Sequence, residues 1–341
     1  MIQTSIGQIR RCEVPPLCCA YTSNLPPILE RLGISLLVST YQAGKLVVLR
    51  SINGQLDIQF QNFPKPMGLA VDQNRLAIGT TDEILEFHHA PATSHQQNDH
   101  TDGQFAPHSK LVTGDIAVHE MEWAGDELWF INTRCSCLCS RDSTQNFLPR
   151  WRPPFVSSLN PEDRCHLNGL AVVDGRPRFV TALGHSDDAG GWRENKAQGG
   201  ILMEVPSGRI ITHELSMPHS PRWYGGRLWI LDSGSGGVGV IDPQSGHYEP
   251  VIELPGFTRG LDFCGQLAFI GLSQVRQSAV FSGVPITQRL AERTSGIWIL
   301  DIITGETVAT LTFEQDVQEI FAIKVLSCRT ELTPFCIPRT D

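Results

Sequence analysis

The chain has 341 residues, 41% of them hydrophobic and only 18% charged, with a formal net charge of −9. That composition excludes a chain disordered over most of its length, and the acidic balance argues against a general nucleic-acid binder. The length exceeds what one ordinary core fills, which leaves two domains or one repetitive architecture, and the 31 Gly and 22 Pro point to many tight turns rather than long helices.

From the beginning, residues 1–35 read as an extension. MIQTSIGQIRRCEVPPLCCA holds no apolar run of signal-peptide length, and no stretch approaches 18 consecutive apolar residues. We therefore expect no membrane partner, a cytoplasmic protein, and ten cysteines kept as thiols. SNLPPILERLG (23–33) reads as a short helix, with Ser23 or Asn24 at its N-cap, Pro26 and Pro27 in its first turn and Gly33 at its end. LLVSTYQAGKLVVLRSINGQLDIQF (36–60) then supplies a second, third and fourth strand without a first.

Five segments follow that share one pattern: an apolar strand, a polar turn and a second strand. They are MGLAVDQNRLAIGT (67–80), HEMEWAGDELWFINT (119–133), NGLAVVDGRPRFVTAL (168–183), SPRWYGGRLWILDS (220–233) and RGLDFCGQLAFIGLS (259–273). Third strands follow at 83–87, 136–140, 200–205, 237–242 and 296–301. Aligning Gly68, Glu120, Gly169, Pro221 and Gly260 gives steps of 52, 49, 52 and 39 residues, the spacing of four-stranded propeller blades. QEIFAIKVL (318–326) looks like a first strand without a blade, and residues 328–341 form a tail. The expected fold is all-β: a six-bladed β-propeller over 36–327, closed by pairing N- and C-terminal strands so that no sheet edge stays open in the ring.

The strings LLVSTYQAGKL (36–46), NTR (132–134), PRWRPPF (149–155), EDRCHLNGLA (162–171), GGWRENK (190–196), SMPHSPRW (216–223) and LPGFTRGLDF (254–263) carry a family likeness. Through them the chain resembles bacterial conserved hypothetical proteins, a domain of unknown function thought to be a propeller. That resemblance brings no activity with it. Glu319 and the Asn168-Gly169-Leu170 string are also similar to two of the cation-binding positions of six-bladed propellers of the gluconolactonase and phosphotriesterase type. At the third position Arg259 stands where a carboxylate is expected, and a buried Arg beside a divalent cation is repulsive.

Strand alternation puts the loop leading into strand one and the loop between strands two and three on one face. Three long insertions, 156–167, 184–198 and 274–294, crowd that face, and long loops on a rigid scaffold commonly carry binding residues. The residues that open each first strand form a ring at the channel mouth: Met67, His119, Asn168, Ser220, Arg259 and Gln318 or Glu319. Loops add Gln42, Asn132, Arg134, Asp232 and Ser233. A solvated pore is the bland reading. The functional reading is a site for a small anionic or peptide-like molecule, with Asn132, Arg134, Asn168, Arg193, Arg222 and Arg259 as its binding residues and His119 and Asp232 as catalytic candidates.

The arginines have a competing role, pairing with Glu162, Asp163, Asp187 or Glu194 within their own loops. Trp192, flanked by glycines, is either a mobile cover for a ligand or an anchor for its loop. Cys135, Cys137 and Cys139 alternate along one strand and read as structural, while Cys165 beside His166 raises a thiolate nucleophile for which no third residue is identifiable. The histidine-rich segment 88–110 falls on the opposite face. Two alternatives stand beside ligand binding. One is a hydrolase or lactonase using a divalent metal on His119, His219 and Glu319; the other is a protein-interaction scaffold. No dinucleotide fingerprint or P-loop is present, so no nucleotide cofactor is expected.

Overall fold

A computed structural model describes residues 7–12, 17–72, 74–90, 104–142, 144–275 and 282–326. The tail 328–341, His95 and His100 of the histidine-rich segment, and part of the 274–294 insertion lie outside them. The chain forms six antiparallel sheets around an axis. Blade 1 takes its inner strand, 322–326, from the C-terminal end and its other three, 35–40, 45–52 and 55–62, from the N-terminal end. Blades 2 to 5 are each four consecutive strands, beginning at 69–71, 118–124, 167–173 and 218–224. Blade 6 begins at 257–264 and ends at 307–313.

The closure is therefore as expected, although its inner strand begins at Ala322, four residues later than the apolar string suggests. The N-terminal extension differs more. Strand 19–22 pairs with 307–313, and strand 9–12 pairs outside it, so blade 6 has six strands. Leu17, Cys19 and Tyr21 are buried there, covering an outer edge that would otherwise stand open. The helix forms at Leu25–Leu32, with Pro26 and Pro27 in its first turn and Gly33 at φ +63 ending it. Asn24 holds the N-cap position, but its side chain reaches across to the Val308 carbonyl at 2.6 Å and fixes the helix to blade 6.

The core lies between blades. Leu69, Ile78, Met121 and Phe130 join blades 2 and 3, and Leu261, Ile270, Trp229 and Leu231 join blades 5 and 6. Close to the axis the backbones approach until side chains no longer fit. A Cβ on Gly68 would lie 2.1 Å from the His119 carbonyl oxygen, and one on Gly260, at φ +81, would lie 2.7 Å from the Ile323 nitrogen. Hydroxyls at the ends of second strands latch three of the blades to the next: Ser39 to the Met67 carbonyl, Thr133 to Leu167 and Ser273 to Ile320. On the insertion face, Leu183, Trp192, Met217, Phe257, Val275, Val284 and Ile286 form one apolar cluster that welds the loops of blades 4, 5 and 6 into a rim.

Candidate functional site

Inner-strand register defines the ring. Val118 pairs with Asn132, Leu167 with Ala182 and Thr258 with Leu272, and a bulge or irregularity follows each; on blade 5 it follows the pair His219 with Leu231. The next residue is His119 on blade 3, Asn168 on blade 4 and Arg259 on blade 6. On blade 5 the expected member, Ser220, opens the bulge, and His219 just before it, held as His119 is, completes the ring. On blade 1 the aromatic Phe321 stands at the mouth, two residues beyond Glu319.

His119 and His219 are held in the same way. Each Nδ1 lies 2.8 Å from the carbonyl two residues earlier, Ala117 or Met217, both in left-handed backbone (φ +49 and +48). A carbonyl only accepts, so each Nδ1 carries the proton. Thr133 and Ser233, at 2.8 and 3.0 Å, complete the two anchors. Burial lowers both imidazoles well below their ordinary pKa, and the positive field of Arg259 lowers them further. Both rings are therefore neutral near pH 7, with the Nε2 lone pair unengaged by any described residue.

Arg259 rests on Phe321, its guanidinium carbon 3.6 Å from the ring centre, and His119 leans on the same ring at 5.0 Å. Burial pulls the Arg259 pKa down to about 10, opposed by Glu319 and Tyr41, so the charge persists at neutral pH. Arg259 makes no hydrogen bond or ion pair with the described residues. His166, two residues before Asn168 and also left-handed (φ +51), packs edge-on against His119 at 4.9 Å. Asp163 accepts from His166 Nδ1 at 2.8 Å, from Trp192 Nε1 at 3.0 Å and from Arg193 at 3.2 Å. Burial works to raise the Asp163 pKa, but these bonds outweigh it and hold the carboxyl below its ordinary value. Trp192 is 3% exposed, which makes it the anchor of its loop.

Three residues past the ring lies a second tier: Glu122, Arg222, Asp262 and Lys324. Glu120 meets Arg222 at 2.5 Å, with the two side chains 8% and 10% exposed, and Glu122 meets Lys324 at 2.5 Å. Asp262 accepts from the Val325 backbone at 2.7 Å. Arg222 and Lys324 are thus each paired with a carboxylate from blade 3, one tier below the mouth residues.

The structure sorts the candidates accordingly. It brings His119, His219 and Arg259 together, with Glu319 within electrostatic reach. Arg222 lies a tier deeper, consumed by Glu120. Asn132 caps its own turn by accepting from Cys135 N at 2.9 Å, and Asn168 joins blades, donating to the Pro218 carbonyl at 3.0 Å and accepting from Thr181 at 2.6 Å. Asp232 accepts from Ser216 N and Ser235 Oγ, both at 2.6 Å, and burial raises its pKa. Arg134 pairs with Asp115 on the exposed rim, Arg193 with Asp163, and Arg164 with Glu162 and Asp187. Cys165 is sealed, its thiol pushed up to about 12 by burial. Among the described residues, no three His, Cys, Asp or Glu side chains are grouped to hold a metal ion. Sequence reasoning passed over Phe321, Tyr41 and Phe257; the only signal for Phe321 was an aromatic inside an otherwise aliphatic string.

Fold and mouth together define a six-bladed β-propeller whose inner strands gather Arg259, two neutral imidazoles and Phe321 above a tier of ion pairs. The chain belongs to the family described as domain of unknown function DUF4915, whose model matches residues 23–333. No curated protein sequence matches it. Among solved structures, it is similar to a chain of a nidogen/laminin complex, at 12% identity and a TM-score of 0.57 over 87% of this chain and 100% of that one. It is also similar to a protein of unknown function from Bacteroides caccae, at 10% identity and 0.54 over 86% and 99%. At such identities these likenesses show the fold alone. No helix among the described residues is long and apolar enough to cross a membrane.

Proposed function

We propose that the protein binds a small anionic or peptide-like ligand at the channel mouth through Arg259. The observation that carries this reading is a guanidinium at the mouth, stacked on Phe321, with no carboxylate of the described residues bonded to it. Every other cation of the original candidate set has found an acid. A charge kept without its own counterion, between two neutral imidazoles, suits an anion delivered from solution. The same charge opposes a divalent cation on His119, His219 and Glu319. The exposed large apolar side chains, Ile9, Val112, Leu159, Trp223 and Ile303, are spread over blades 2, 4, 5 and 6 and so favour the mouth over an interaction scaffold. We place the protein in the bacterial cytosol, with support from Cys137 and Cys139, whose sulfurs lie 3.6 Å apart as free thiols.

The test is calorimetric titration of wild type and Arg259→Met with formate, acetate, phosphate and short peptides. Saturable binding lost by at least tenfold in the variant supports the reading, since a charge-assisted bond contributes about 1.5–3 kcal/mol. Affinities that ignore the substitution remove it.

A further inference from the structure

The two ring histidines narrow the ligand further, on the premise that Arg259 binds its anionic group. Each Nδ1–H is committed to a backbone carbonyl and a hydroxyl, an arrangement built twice, on blades 3 and 5, from residues a hundred positions apart. That anchoring fixes the tautomer and leaves Nε2 as an acceptor with no proton to offer. Among the described residues neither Nε2 has a hydrogen-bond partner, and His119 and His219 keep 9% and 5% of their surface exposed. A carboxylate gains nothing from two lone pairs. A ligand atom facing them must bring its own hydrogen.

We propose that the ligand is a hydroxyl-bearing carboxylate, its anionic group on the Arg259 edge and its hydroxyl donated to Nε2 of His119 or His219. A hydroxyl fits better than an ammonium, because a second positive charge would sit beside the uncompensated guanidinium. Phe321 beneath Arg259 and Phe257 against His219, at 5.6 Å between ring centres, offer apolar walls to the rest of the molecule.

The probes are 3-phenylpropanoate, both enantiomers of 2-hydroxy-3-phenylpropanoate, and phenylalanine, titrated into the full-length protein, His219→Phe, His119→Phe and Arg259→Met. We expect one hydroxy acid to bind about tenfold or more tightly than its deoxy partner, since a site built to accept a hydroxyl discriminates strongly against its absence. That preference should shrink to about twofold in at least one histidine variant, as removal of an acceptor predicts, with deoxy-acid affinity retained. Equal affinities for hydroxy and deoxy acids, both lost in Arg259→Met, overturn the hydroxyl assignment and leave the anion site standing. Tightest binding of phenylalanine also overturns it. No Arg259-dependent binding of any probe overturns both. Independently of any ligand and of the folding of the variants, imidazole nitrogen NMR of wild type at pH 7.5 must show the Nδ1–H tautomer at His119 and His219. An Nε2–H form or an imidazolium at both overturns the proposal.

Discussion

Replacing Glu120 by Ala tests whether the tier below the mouth holds an ion pair rather than a second binding site. The substitution leaves the Arg222 guanidinium buried without its 2.5 Å partner. Burial acts to lower the pKa of Arg222, but the carboxylates of Glu120 and Glu122 outweigh it and keep it raised, so the side chain cannot shed its charge when one acid goes. Breaking a buried pair generally costs 3–5 kcal/mol. Here Glu122 and Asp262 remain within electrostatic reach, and Arg222 Nη1 keeps its bonds to the carbonyls of Pro221 at 2.9 Å and Leu170 at 3.2 Å. The expected loss is therefore at the low end, about 3 kcal/mol. With roughly 2 cal/mol/K of unfolding entropy per residue, that lowers the melting temperature of a chain this long by about 4 °C. Urea, which does not screen charge, is the denaturant for the assay. The double variant Glu120→Met/Arg222→Met removes both charges and should recover most of the loss, because desolvation offsets much of the pair's attraction. A single-variant cost under about 1 kcal/mol, or a double variant no better than the single, refutes the reasoning.

Three further outcomes are expected. His119 and His219 have native pKa values below their unfolded ones, so the unfolded state binds protons first, and stability is full above about pH 6.5 and lost below it. Between pH 7.5 and 5.5 the loss reaches up to about 1.4 kcal/mol per histidine, and urea melts of His119→Phe should show a smaller loss than wild type; an unchanged loss contradicts this. Cys165 should resist alkylation at pH 8 in the native protein and label only on unfolding, as read by mass spectrometry; rapid native labelling would revive the thiolate reading. Asp163→Asn should weaken the hold on Arg193 and His166 while Trp192 keeps an acceptor, raising amide exchange across residues 190–199 by roughly tenfold. Unchanged exchange there would show that the apolar cluster alone fixes the loop.

The blades were legible because each first and second strand is a near-continuous apolar string broken by one polar turn, a signal local in sequence. His119 and Arg259 could be read as mouth residues for the same reason. His219 joins the ring from the last regular pair before the bulge that Ser220 opens, which composition does not reveal, and Phe321 was displaced because an unpaired C-terminal strand gave no second strand to align against. The ion pairs were not legible at all: Glu120 and Arg222 lie 102 positions apart and meet only because the ring closes. Strand 19–22 was hidden likewise, its partner 307–313 being at the other end of the chain. Asn132, Asn168 and Asp232 have the residue types of a binding site, and only their hydrogen bonds reveal turn and blade-joining roles.

The most direct test of the central claim is a crystal soaked with 3-bromo-2-hydroxypropanoate, with bromine located by its anomalous signal. The account predicts one ordered molecule at the mouth, its carboxylate on the Arg259 guanidinium over Phe321 and its hydroxyl toward an imidazole Nε2. Bromine ordered only at the outer rim or between blades, with the mouth holding water alone, contradicts it.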